Sequence, residues 1–133
     1  MGWVANVMVS VDMADNANMA AFNDWLRDQA PRLFGAEALG VGFLRLTTSV
    51  EGNEWGGWKM PECEVWAGAL NNADLPALRR RFTQMPWREP NVVQLMTMDQ
   101  EEGFFRLWML RDGQLRQYAP QEPDETDEGF YRE

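Results

Sequence analysis

Between Trp3 and Val11 the chain alternates with a period of two. Trp3, Ala5, Val7, Val9 and Val11 fall on one side, and Val4, Asn6, Met8 and Ser10 fall on the other. Successive side chains of a strand point to opposite faces, so this segment is expected to be a half-buried β-strand. The period then changes. DMADNAN, residues 12 to 18, is a cluster of cap and turn formers. After it Met19, Phe22, Leu26 and Ala30 recur at helical spacing, opposite Asp24, Arg27 and Asp28. That pattern predicts an amphipathic helix which Pro31 ends near Ala30. A strand with one apolar face followed at once by a helix with one apolar stripe favours packing of one on the other.

The same alternation of periods continues. Residues 40 to 48 and 62 to 70 read as two more strands. Asp74 is expected to cap a second helix, with Pro76 in the first turn, where its missing amide costs nothing. Leu75, Leu78, Phe82 and Met85 form its stripe, and Pro86 and Pro90 close it. Residues 91 to 99 read as a fourth strand. Residues 104 to 110 and 114 to 118 flank Asp112-Gly113, a hairpin signal because a type I′ turn needs positive φ twice. The order predicts an α+β fold: a ferredoxin-like βαββαβ sandwich with an added C-terminal β-hairpin, two helices on one sheet face and the other face open. The domain is expected to span residues 1–120. Residues 121–133 carry six acids and one arginine and are expected to be a disordered acidic tail.

Composition removes several chemistries. The chain has no histidine and one cysteine, so the common Ser-His-Asp, Cys-His and histidine-ligated metal sites are excluded, as is a cysteine-ligated cluster. No Gly-rich nucleotide motif occurs. No metal, cofactor or catalytic set is expected. The net charge of −9 argues against nucleic acid and anionic lipid, and no apolar run is long enough to span a membrane. The N-terminal segment lacks a basic region and is not expected to be a signal peptide. A single thiol, Cys63, suits a reducing compartment, so a cytoplasmic location is expected.

Alternation also sorts candidate binding residues. Cys63, Val65, Ala67 and Ala69 are expected under the helices, with Glu62, Glu64 and Trp66 on the open face. Arg45 marks the open side of the second strand and brings Phe43 with it. Trp55 and Trp58 flank Gly56-Gly57 in the connection before residue 62 and are expected to fold over that face. Phe43, Arg45, Trp55, Trp58, Glu64 and Trp66 are therefore the expected ligand- or partner-binding set. The nine methionines offer either core filling or an adaptable binding surface. Arg79-Arg80-Arg81 is expected to be a solvated helix face, with a site for an acidic partner or for the chain's own acidic tail as the alternative.

Two functions remain. The first is a non-catalytic acidic interaction module that self-associates, as a homodimer, through its open sheet face. An inhibitor or immunity-type binder of a basic protein belongs to the same class. The second is a small-molecule binder or cofactor-independent enzyme of the dimeric α+β barrel kind. Its small hydrophobic ligand would lie between the open face and the Trp55/Trp58 loop.

Overall fold

The computed structural model describes residues 3–34, 38–48 and 62–118. It is an α+β structure with one six-stranded antiparallel sheet and two helices. In chain order the elements are β1 (Val4–Val11), α1 (Asn16–Asp28), β2 (Arg45–Leu46), β3 (Glu64–Asn71), α2 (Leu75–Gln84), β4 (Gln94–Asp99), β5 (Arg106–Arg111) and β6 (Gln114–Tyr118). Their order across the sheet is β2-β3-β1-β4-β5-β6. The expected tail and the Trp55/Trp58 connection lie outside the described residues.

β1 has the alternation its sequence predicts: Ala5, Val7, Val9 and Val11 are buried, with β3 on one side and β4 on the other. The Asp12 carboxylate accepts a 2.9 Å hydrogen bond from the Ala14 amide and turns the chain through a short 3₁₀ segment into α1. Met19, Phe22 and Leu26 of α1 then pack on the buried side of β1. α2 is capped by Asp74, which accepts from the Ala77 amide at 3.1 Å, and buries Leu78 and Phe82 in the same core. The Phe22 and Phe82 rings meet edge-to-face at 5.4 Å, so the two helices share one aromatic contact above the sheet. Asp112 and Gly113 both have positive φ, 55° and 75°, and join β5 to β6 as the Asp-Gly signal requires.

Two expectations change. The second strand is two residues long, because Gly40 (φ 91°) and Gly42 (φ 129°) take the chain out of the extended region. A Cβ at Gly40 would lie 2.0 Å from the Arg27 carbonyl oxygen, so only glycine fits there. Residues 41 to 44 hang on α1 instead. Asn23 accepts from the Leu44 amide at 2.6 Å and donates to its carbonyl at 2.9 Å. The faces of β3 are also the reverse of those expected. Val11 faces Glu64, Val9 faces Trp66 and Ala5 faces Leu70, so Glu64, Trp66 and Leu70 lie under the helices. Val65, Ala67 and Ala69 lie on the open side. The physical reason is size: Trp66 and Leu70 fill the space between sheet and helices, which alanines would leave empty.

Asp15 organises the far side of the core. Its carboxylate is fully buried and accepts from the Arg88 and Glu89 amides at 2.7 and 2.9 Å and from the Asn18 side chain at 2.9 Å. Burial alone would raise its pKa. The Arg88 amide, the Asn18 amide group, the Glu89 amide and the Arg88 charge together outweigh burial and hold it below 3.8. Its contribution to stability is therefore complete above the unfolded-state value and is lost as the pH falls through the lower folded value. Replacing Asp15 with Ala should cost about 2–3 kcal/mol at neutral pH, because two backbone amides and the Asn18 side chain lose a charged acceptor. Urea denaturation measures this. Below pH 3.8 the wild type should lose stability more steeply than the variant, and parallel acid limbs would show that Asp15 is not the group titrating.

Candidate functional site: the sheet face opposite the helices

The helices cover one side of the sheet, and the strand register sets what the other side presents. One row crosses all six strands: Arg45, Ala67, Met8, Met96, Leu107 and Tyr118 stand directly opposite one another in turn. A second row runs Ala69, Asn6, Met98. A third runs Val65, Ser10, Gln94, Met109, Arg116. The face is thus apolar along its middle, with four methionines contributed by three neighbouring strands and arginines at two margins. Met8, Met96, Met98, Leu107 and Met109 are half-buried, and Tyr118 at the edge is 46% exposed. A shallow concavity of about 510 Å³ opens where Asn6, Met8, Ala69, Met98 and Phe105 meet.

The expected binding set divides. Phe43 and Arg45 remain together at the β2 margin, with the Arg45 guanidinium 5.5 Å from the Phe43 ring centre and the ring 47% exposed. Arg45 stands opposite Ala67, which places the pair on the open side. Glu64 and Trp66 do not join them. Glu64 is buried and accepts from the Thr48 hydroxyl at 3.0 Å, while the same hydroxyl accepts from the Val65 amide at 3.0 Å. This carboxylate ties the strand end to the segment following β2. Trp66 lies in the row Leu46, Trp66, Val9, Leu95, Trp108, on the helix side, and packs against the core. Trp55 and Trp58 lie outside the described residues.

Sequence alternation placed Met8 on this face but missed its neighbours in β4. β4 is apolar on both sides, so its pattern does not say which side carries Met96 and Met98. The signal is in the register, where Met8 stands opposite Met96. It also missed the flanks of α2. Arg79 lies over the Trp108 ring at 4.5 Å and Arg81 near the Trp25 ring at 5.9 Å, so only Arg80 of the three keeps the solvated position expected for all. Among the described residues no three His, Cys, Asp or Glu side chains converge, and no helix is long and apolar enough to cross a membrane.

Trp66 now belongs to the core's stability. Trp66→Ala should destabilise by about 2–4 kcal/mol, somewhat under the usual cost for a fully buried tryptophan. Trp66→Glu should unfold the protein outright, because a carboxylate would sit among Val9, Leu46 and the helices. Thermal melts with size-exclusion chromatography check both, and a folded Trp66→Glu protein with altered assembly would return Trp66 to the open face.

Compared with protein-family models, curated proteins and solved structures, the chain matches none of them.

Proposed function

We propose that this chain is a non-catalytic interaction module that pairs with a second copy of itself through the sheet face opposite the helices. In this reading the elements form a ferredoxin-like βαββαβ unit, and the β5–β6 hairpin widens the face available for pairing. The observation that carries the reading is the row from Ala67 through Met8, Met96 and Leu107 to Tyr118. The five strands β3, β1, β4, β5 and β6, each about 4.8 Å wide and about 20 Å long, make a face of roughly 480 Å². Apolar patches larger than a few hundred Å² are uncommon on monomers and mark interaction sites. Two such faces together would bury about 1,000 Å², the lower limit for a specific interface.

Methionine suits this task. Its unbranched side chain adapts to a facing copy of itself, and its exposed thioether tolerates water better than leucine when the partner is absent. The polar groups within the face, Asn6, Ser10 and Gln94, supply no nucleophile paired with a base. The charge of −9 favours pairing through apolar surface over binding of polyanions. The concavity at Asn6, Met98 and Phe105 favours one variation: a small hydrophobic ligand held between the two paired faces.

Sedimentation velocity and native mass spectrometry test the proposal. The wild type should be dimeric at about 100 µM, a concentration at which any dimer more stable than about −5.5 kcal/mol is populated. The double variant Met96→Glu, Leu107→Glu should be monomeric, with folding stability within about 1 kcal/mol of wild type, since neither side chain belongs to the helix-covered core. A wild type that remains monomeric throughout would overturn the reading. A retained small molecule in the dimer's mass would add the ligand.

A further inference from the structure

Helix α2 does not reach across the whole sheet. The β5–β6 hairpin carries the sheet past it and leaves a groove on the helix side, away from the opposite face. Two adjoining concavities, about 470 and 330 Å³, lie in this groove and share Pro76, Arg79 and Trp108. Trp108 is held as the floor: its indole Nε1 donates to the Thr97 hydroxyl at 3.3 Å, and its neighbours across the strands are Leu95 and Gln117. Arg79 lies on that floor, its guanidinium carbon 4.5 Å from the ring centre.

Arg79 is held by an aromatic ring, without an ion pair among the described residues. Arg27, Arg106 and Arg116 each contact a carboxylate. Arg79 is half-buried, yet among the described residues no carboxylate is bonded to it, in a chain with 21 acids and 12 bases. Burial lowers its pKa and the charge of Asp74 only opposes this, so the cation is incompletely compensated. A cation over a ring engages the π-face and not a hydrogen-bond acceptor, so this contact does not use the N–H donors of Arg79. Those donors match the two oxygens of a carboxylate.

We propose that this groove is a binding site for a small monocarboxylate with an apolar body, its carboxylate on Arg79 and its body along Pro76, Trp108 and Leu115. One fork and an apolar wall suit a single negative charge. Phosphates and polyanions would call for more donors, and the acidic chain repels them. Arg80 stands at the rim, and Thr83 and Gln114 supply the polar edge. The site is independent of self-association through the opposite side of the sheet.

Phenylacetate is a suitable probe, titrated into the full chain while the Arg79 Nε–H and Trp108 Nε1–H signals are followed by ¹H–¹⁵N NMR. Saturable shifts at these two groups are expected, with a dissociation constant on the order of 1 mM or tighter. Phenylacetamide, which lacks the charge, should bind at least about tenfold more weakly, as should phenylacetate to Arg79→Gln. Arg27→Gln, at an exposed arginine of α1 outside the groove, should change binding by less than about threefold. Gln114→Trp, which fills the groove and leaves Arg79 in place, should also weaken binding by about tenfold or more, and decides the matter if Arg79→Gln does not fold. Equal affinity of the wild type and a folded Arg79→Gln protein would overturn the proposal. So would unsaturable shifts spread over the surface arginines, or inorganic phosphate binding at Arg79 as tightly as phenylacetate.

Discussion

The buried side of β1 is the constraint to which the other elements conform. Ala5, Val7, Val9 and Val11 are almost without solvent exposure, and β1 is the one strand that pairs with both β3 and β4. Its register therefore sets the faces of both neighbours. Once Val9 stands opposite Trp66 and Leu95, the tryptophan must share the core with the helices. Ala67 and Met96, opposite Met8, must face away. A shift of one residue would exchange the two sides of the sheet, sending the valines to solvent and the methionines under α1 and α2.

The two sides consequently have different physical characters. The helix side is filled by branched and aromatic groups in fixed contact, such as Phe22 against Phe82 and Phe82 against Trp87. The other side is lined by methionines and alanines, whose contacts are adaptable or slight. Dense packing favours one native arrangement, while the looser surface suits contact with something outside the chain. Polar groups are placed where backbone would otherwise lack partners. Asp15 receives the amides that follow α2, and Asn23 receives Leu44 where the glycines interrupt the second strand.

Much of the architecture was legible in the sequence because it is written in local terms. The switch of period after Val11, the Asp74 cap with Pro76, and the Asp112-Gly113 turn each depend on residues close together, and each appears where expected. What was not legible depends on partners distant in sequence. The faces of β3 could not be read from Glu64 and Trp66 alone: a carboxylate suggests solvent until Thr48 is seen to bond it. Phe43 and Arg45 were readable because one charge on a short segment marked its side. The role of Asp15 as an acceptor for residues 88 and 89, and the seating of Arg79 on Trp108, had no local signature.

The central position of β1 has a consequence for how the chain can be made. Ala5 pairs with Asp99 and Ser10 with Gln94, so the first strand of this sheet to be synthesised is completed by one that follows it by more than eighty residues. Until β4 is synthesised, one edge of β1 remains open and its row of valines has only part of its cover. Such distant pairings slow folding, and an open apolar strand is the kind of surface on which partly made chains aggregate. Completion of this sheet is thus a late event in synthesis, since β1 gains its second neighbour only with β4.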